Sequence, residues 1–188
     1  ASEYTEEEIR AAVEEAANAG TFVTAHAHGV EGIKRAVRAG VRSIEHASYL
    51  DDEGIALMVK HGTWLVADIY NGDYIAEIGK RDGWPAEVLR KNDETTGTQR
   101  AGFQKAVRAG VRIAYGTDSG VYPHGRNANQ FRYMVRYGMT PLQAIRSATL
   151  DSARLLGHEK DIGSIAVGRS ADLIAVAGDP LVDVRVLE

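Results

Sequence analysis

Cysteine is absent from this chain of 188 residues. Disulfide bonds and thiolate metal sites are therefore excluded, and any bound metal must be held by nitrogen and oxygen ligands. The sequence also lacks an apolar run near the roughly 20 residues that a membrane-spanning helix requires. It shows no signal peptide, no basic stripe and no long run of like charge, so neither nucleic acid nor a membrane is an expected partner.

The composition is that of a folded protein. Hydrophobic residues make up 44% of the chain and charged residues 26%, with a formal net charge of −4. Such a chain can bury a core, and its length is about that of one domain.

A helix, a glycine turn and a short apolar strand follow one another four times. The near-duplicate stretches AVRAGVRS (36–43) and AVRAGVRI (106–113) indicate one repeated architecture. Strands that alternate with helices predict a parallel sheet with right-handed crossovers. The predicted strands are Thr21–Ala25, Val41–Glu45, Thr63–Ala67 and Val111–Tyr115, and the turn glycines before them are Gly20, Gly40, Gly62 and Gly110.

Potential metal ligands recur at the ends of these strands. His26 and His46 each stand six residues after their turn glycine, and Asp118 stands eight residues after its own. His28 lies two residues beyond His26 and shares its face of the strand. In a parallel α/β barrel the carboxyl ends of the strands carry the chemistry. We therefore predict that the three histidines form a metal or catalytic cluster together with Asp118, although a single strand-end histidine would more often be structural.

Asp118 lies in the glycine-flanked segment Tyr115–Gly120, where the backbone can approach other groups closely. A carboxylate there can bind a metal and accept a proton from an attacking water molecule. The alternative is an aspartate that caps the following helix.

Further candidates for substrate contact lie near these strand ends. His124, on the loop after the fourth strand, could orient a substrate or transfer a proton, and Arg126 could pair with a substrate carboxylate. Both are also compatible with an ordinary exposed loop. Tyr70 could line a pocket with Asp68 and Asn71, although capping is the favoured interpretation for that segment.

The pattern changes after the fourth strand. A helix is predicted over Asn127–Tyr137. The capping box at Thr140–Gln143 opens another helix that runs to Gly157. Two β-type runs, Ser164–Val167 and Asp172–Ala177, then predict a hairpin.

Five segments carry a resemblance that covers nearly the whole chain. They are VTAHAHG (23–29), SIEHAS (43–48), AYGTDSG (114–120), MTPLQAIRSATLDSARLLG (139–157) and IGSIAVGRSADLIAVAGDP (162–180). In this order they resemble the amidohydrolase superfamily, in its imidazolonepropionase-like, Xaa-Pro dipeptidase branch. The last segment is similar to the strands that return to the family's small β-sandwich.

The resemblance implies a metal-dependent hydrolase of C–N bonds in amides or peptides, built on a (β/α)8 barrel. It implies metal ligands at His26, His46 and Asp118, and it makes Asp118 the catalytic proton acceptor. It also implies that His28 faces the substrate or supports the ligands, and the loop of His124 resembles a substrate-contacting segment. The complete family site holds one or two divalent ions, for which we expect zinc.

The resemblance further implies a C-terminal half of the barrel. We expect strands five to eight and their helices over residues 1–160, and return strands of the β-sandwich over residues 161–188. The family's H-x-H pair and carboxylated lysine belong to the half that we expect to be missing. With His26, His46 and Asp118 alone, we expect at most one weakly held zinc ion.

Two functions stay open at this point. The first is a metal-dependent, dipeptidase-like hydrolase that acts on a small or dipeptide-like substrate. The alternative is a catalytically silent half-barrel fragment that self-associates through open strand edges. Whether the chain is itself an enzyme is open because the H-x-H pair and the carboxylated lysine are expected to be missing. We expect either a homo-oligomer or pairing with a missing N-terminal half. We also expect a cytoplasmic location, unless that N-terminal half carries a targeting signal.

Overall fold

The computed structural model describes residues 3–188, which fall into two compact units. Unit one contains the chain up to Ala67 together with Glu94–Ile113, and unit two contains Asp68–Asp93 together with Ala114–Glu188. Across residues 3–188 no helix is both long and apolar enough to cross a bilayer.

Helices and strands alternate along most of the chain. In chain order they are α1 (Glu6–Asn18), β1 (Thr24–Ala27), α2 (Val30–Ala39), β2 (Ser43–His46), α3 (Asp52–His61), β3 (Trp64–Ala67), α4 (Asn71–Arg81), α5 (Ala86–Ala109), β4 (Arg112–Tyr115), α6 (Asn129–Arg136), α7 (Pro141–Ala148), α8 (Leu150–Leu156) and the 3₁₀ helix η1 (Val184–Leu187).

The strands form one sheet in the order β1-β2-β3-β4. β1 pairs with β2 and β2 pairs with β3, both in parallel, with Thr24 opposite Ser43 and Ser43 opposite Trp64. The predicted parallel sheet is thus confirmed. Each strand begins between one and three residues later than the sequence predicts.

The turn glycines explain this delay. All four have φ in the left-handed region, between 69 and 95°. The residue after each glycine donates its backbone N–H to the carbonyl five residues earlier, which closes the preceding helix and postpones the strand. These bonds are Thr21 to Ala16 at 2.8 Å, Val41 to Ala36 at 3.2 Å, Thr63 to Met58 at 3.0 Å and Val111 to Ala106 at 3.1 Å.

The core of unit one consists of aliphatic side chains from the sheet and its helices. Ile33 and Val37 of α2 are fully buried, as are Ile44 of β2 and Met58 of α3. α2 also contacts α3 through Lys34, a lysine that is only 6% exposed. Its Nζ lies 2.8 Å from Asp51 Oδ2 and 2.6 Å from Glu53 Oε2. These hydrogen bonds raise the pKa of Lys34 above its usual value and fix the start of α3 against α2.

Unit two contains α4, which the sequence did not predict. Tyr70, which occupies the N-cap position before Asn71, makes no side-chain capping hydrogen bond. The segment therefore lacks the polar N-cap that marks a helix start in a sequence.

The single helix predicted from Thr140 to Gly157 is wrong, because the structure divides it into α7 and α8 at Thr149 (φ −125°, ψ −98°). Hydroxyl groups compete with the helical hydrogen bonds at this point. Ser147 Oγ donates to the Ala144 carbonyl at 2.6 Å, and Ser152 Oγ donates to the Ser147 carbonyl at 2.6 Å. The predicted capping box at the start of α7 is confirmed.

The predicted hairpin does not form as a pair of strands. A turn is present, in which Arg169 N–H donates to the Ala166 carbonyl at 3.3 Å. Neither Ser164–Val167 nor Asp172–Ala177 is a strand, and Ile165 is 89% exposed. An isolated two-stranded hairpin is only marginally stable, and no further strand of residues 3–188 lies beside these runs.

Gly163→Ala is expected to destabilise unit two more than Gly168→Ala. Both glycines have φ of 85°, so both substitutions carry the same backbone strain, about 1–2 kcal/mol. A Cβ at Gly163 would lie 2.9 Å from the Thr149 carbonyl oxygen, whereas a Cβ at Gly168 meets nothing within 4 Å. Urea unfolding should show an additional loss of about 1–3 kcal/mol for Gly163→Ala. Equal losses in the two variants would contradict a close approach at the α7–α8 break.

Candidate metal centre

The histidine group of unit one consists of His26, His28 and His46. The ring centroids of His26 and His28 are 4.6 Å apart, those of His26 and His46 are 4.4 Å apart, and those of His28 and His46 are 4.8 Å apart. One ligand nitrogen from each ring lies within 4.8 Å of the other two. The structure therefore brings together the three histidines that the sequence singled out.

Two neighbouring parallel strands place these rings. His26 and His28 stand two residues apart at the end of β1 and point to the same side. Ala27 of β1 is paired in register with His46, the last residue of β2. The group thus rests on hydrogen-bonded strand ends rather than on a mobile loop.

The backbone at His46 is strained. His46 has φ of 69° and Ala47 has φ of 50°, although neither is glycine. Gln99 Nε2 donates to the His46 carbonyl at 3.1 Å, and the Ala47 N–H donates to the Ala27 carbonyl at 3.1 Å. Left-handed conformations of this kind are unfavourable for residues with side chains and persist where surrounding contacts hold them, often at functional sites.

Ser48 contacts the histidine group, and the sequence did not identify it as a supporting residue. Its Oγ lies 2.8 Å from His28 Nδ1, and the residue is only 5% exposed. A buried hydroxyl in contact with one ring nitrogen fixes the orientation of the imidazole. Its position two residues after His46 in the SIEHAS segment was the available signal.

The histidine group has the chemistry of a divalent-metal site. Neutral imidazole nitrogens are common ligands of zinc, with bonds of about 2.0–2.1 Å. Such bonds place tetrahedral ligands about 3.4 Å apart, so rotations that move the ring nitrogens by about 1 Å would complete the site. The donor set therefore fits zinc.

Unit two holds a second group, in which one amide joins two carboxylates. Asp68 directly follows β3, and Asp118 lies beyond the end of β4. Asn71 Nδ2 donates to Asp68 Oδ2 at 2.8 Å and to Asp118 Oδ2 at 3.2 Å. Asn71 is 5% exposed, and its buried Oδ1 accepts no hydrogen bond from the described residues. The sequence analysis considered Asn71 only as a capping or pocket residue and missed this bridge.

The loop that carries Asp118 is held by its neighbours in unit two. Asn127 Nδ2 donates to Thr117 Oγ1 at 2.9 Å, and the Tyr115 hydroxyl donates to the Asn127 carbonyl at 2.6 Å. The amide of the fully buried Gln130 donates to the Gly116 carbonyl. Asp118 itself has φ of 50°, so these contacts maintain a second strained residue at a strand end.

The predicted substrate-contacting residues have different environments. His124 and Arg126 are both exposed on the loop that follows Asp118. Tyr70 is only 7% exposed, and its ring centroid lies 5.0 Å from that of Tyr122 and 5.3 Å from that of Tyr133. Burial raises the pKa of Tyr70, consistent with a packing role in this aromatic cluster. Substrate contact by these residues stays a prediction.

Comparisons with known proteins agree with the resemblance in the sequence. The sequence profile of the amidohydrolase family matches residues 1–188. Ochratoxinase from Aspergillus niger is 36% identical over 190 residues, which cover 100% of this chain and 39% of that protein. Imidazolonepropionase from Rhizobium rhizogenes is 32% identical over 182 residues, covering 90% of this chain and 38% of that protein.

A solved structure extends the comparison to the fold. The crystal structure of a Xaa-Pro dipeptidase with bound methionine in the active site superposes with a TM-score of 0.92 at 46% identity. The superposition covers 98% of this chain and 46% of that one. The chain thus spans less than half the length of these relatives, and the predicted fold class, the C-terminal half of a (β/α)8 barrel, is confirmed.

Proposed function

Since the chain belongs to the amidohydrolase family, we propose that it carries the C-terminal part of the active site of a metal-dependent hydrolase of amide or peptide C–N bonds. The grouping of three imidazoles at the ends of two parallel strands is the observation that supports this most directly. Dipeptides and N-acyl amino acids are the proposed substrates, since one relative is a Xaa-Pro dipeptidase.

In this proposal His26, His46 and Asp118 are metal-binding residues, and zinc is the metal. When bound, zinc supplies Lewis acidity toward a carbonyl group and toward water. The imidazoles of His26 and His46 contribute neutral nitrogen donors. Their strand-end positions fix them before any ion binds.

Asp118 is the proposed proton acceptor and donor. Its carboxylate is oriented by the hydrogen bond from Asn71 Nδ2 to Oδ2. An oriented carboxylate can take a proton from the attacking water and pass one to the leaving amine. His28, His124, Tyr70 and Arg126 are the proposed substrate-binding residues, and a guanidinium such as that of Arg126 suits a substrate carboxylate.

A second candidate function is a catalytically silent chain that self-associates. β1 and β4 are the outer strands of the sheet, and unpaired strand edges promote pairing between chains. Ile165 and Ile174 of the C-terminal segment are 89% and 80% exposed, which adds apolar surface. Sedimentation should then give a dimer or larger species at micromolar concentration, and a compact monomer would contradict this candidate.

The hydrolase proposal can be tested on the chelator-treated chain with added zinc. We expect zinc-dependent turnover of a panel of dipeptides and N-acyl amino acids, and loss of that turnover in Asp118→Asn. Asp82→Asn serves as the control because Asp82 is an exposed aspartate of unit two that pairs with Arg81. Zinc-independent turnover, or turnover that persists in Asp118→Asn, would contradict the proposal, whereas no turnover at all would favour the catalytically silent chain described above.

A further inference from the structure

We propose that Gln99 of α5 positions the His46 ring by holding the His46 backbone in its left-handed conformation. Gln99 acts through the main chain, so it is a positioning residue rather than a ligand. The inference rests on the proposed function only in that His46 is a proposed zinc ligand, and its first test requires no metal. Both residues lie in unit one.

Regular strand geometry would keep the rings of His26 and His46 apart. In the register of β1 with β2, His26 is opposite Glu45, and Ala27 is opposite His46. Side chains alternate between the two faces of a sheet along each strand. A regular β2 would therefore direct His46 to the face opposite His26, yet the two ring centroids are only 4.4 Å apart. The position of the His46 ring thus depends on a departure from strand geometry at the end of β2.

That departure is the left-handed backbone of His46 and Ala47, with φ of 69° and 50°. Two successive non-glycine residues in this region are unfavourable unless other contacts hold them. On the side of β1, the Ala47 N–H donates to the Ala27 carbonyl at 3.1 Å. On the side of β3, the pairing of β2 covers Ser43–Glu45 and ends one residue before His46. The His46 carbonyl therefore lies beyond the paired part of β2 on that side.

Gln99 supplies the contact on that side. Its Nε2 donates to the His46 carbonyl at 3.1 Å, in a partly buried hydrogen bond. Backbone carbonyls that leave a sheet still require a hydrogen-bond partner where water is restricted. Because this bond forms only when the carbonyl points toward α5, it stabilises the left-handed state of His46 over the extended one.

Two further contacts hold α5 against the segment that follows β2. A Cβ at Gly102 would lie 3.1 Å from the Leu50 carbonyl oxygen. Glycine inside a helix is less favourable than alanine, so this close approach gives Gly102 a packing reason. Lys105 Nζ lies 2.8 Å from Asp52 Oδ1. The helix that carries Gln99 is thus fixed at two points beyond its contact with His46.

The chain without metal tests the positioning directly. Gln99→Met keeps the length of the side chain and removes the amide donor. Hydrogen exchange of the Ala47 N–H should accelerate about 2- to 10-fold, and that of the Val37 N–H in α2 should accelerate less. The nuclear Overhauser contact between the rings of His26 and His46 should weaken. Equal acceleration at Ala47 and Val37, or an unchanged ring contact, would overturn the inference.

Zinc affinity of the chelator-treated chain is the second measurement. Replacing residues that orient metal ligands typically weakens binding 10- to 100-fold, and an amide that acts through the backbone should lie at the lower end, at about tenfold. Gln104→Met is the matched control because Gln104 is a half-buried glutamine of the same helix. Equal losses of affinity in Gln99→Met and Gln104→Met would overturn the inference.

The two measurements separate this inference from the proposed function. If the unaltered chain binds no zinc, the proposed metal dependence fails, and the exchange and ring-contact results still decide whether Gln99 positions His46. If zinc binds and turnover depends on Asp118, while Gln99→Met changes neither the exchange of the Ala47 N–H nor the zinc affinity, the inference fails and the proposed function stands.

Discussion

His46→Ala is expected to abolish metal binding by the chain. The His46 ring lies 4.4 Å from that of His26 and 4.8 Å from that of His28, and it is the only imidazole that β2 contributes to the histidine group. Without it, His26 is the only imidazole left in the proposed ligand set of His26, His46 and Asp118. Because loss of a supporting partner alone typically weakens metal binding 10- to 100-fold, loss of this ligand should weaken zinc binding by more than about 100-fold.

Calorimetric titration with zinc measures this effect, and His61→Ala is the matched control. His61 is an exposed histidine of the same unit, at the end of α3. Thermal unfolding without metal should show at most a small loss of stability for His46→Ala, because histidine adopts a φ of 69° more readily than alanine does. Zinc retention by a folded His46→Ala variant would refute the assignment of the site.

Asn71→Leu is expected to lower the free energy of unfolding by about 1–3 kcal/mol. Hydrogen bonds to charged groups contribute about 1.5–3 kcal/mol each, and Asn71 Nδ2 donates to two carboxylates. Leucine has a similar volume, so little cavity forms. It also removes the buried, unpartnered Oδ1, and this offsets part of the loss.

A double-mutant cycle with Asp118→Ala isolates the bridge, because coupled residues show non-additive effects. Asn71→Leu should cost less when Asp118 has already been replaced. Gln143→Leu is the control, since Gln143 Oε1 accepts a hydrogen bond from the Thr140 N–H in the capping box of α7, in the same unit. Strict additivity of Asn71→Leu and Asp118→Ala would show that the amide contributes nothing to holding that carboxylate.

The first half of the fold could be predicted because its helix ends and strands have signals in neighbouring residues of the sequence. Turn glycines such as Gly40 signal helix ends because only glycine adopts φ near 95° without strain. Apolar residues after these glycines then identify the strands. The strand starts were predicted too early because the hydrogen bond from the residue after the glycine, such as Val41 N–H to the Ala36 carbonyl, extends the helix cap.

Longer-range contacts made the second half harder to predict. The break between α7 and α8 depends on hydroxyl groups and on Gly163, which packs against the Thr149 carbonyl from a later segment. α4 has no capping side chain that would indicate its start in the sequence. The β runs after Gly163 have the pattern of strands, but strands need partners, and the described residues supply none.

The sequence by itself determined the repeated parallel architecture and the residue types at the strand ends, because helix caps, apolar alternation and strand spacing are properties of neighbouring residues. Only the tertiary structure decided which polar groups support those residues. Ser48 and His28 are 20 positions apart, and Asn71 and Asp118 are 47 positions apart. A hydrogen bond over such a separation depends on how the elements pack, and no local pattern encodes it.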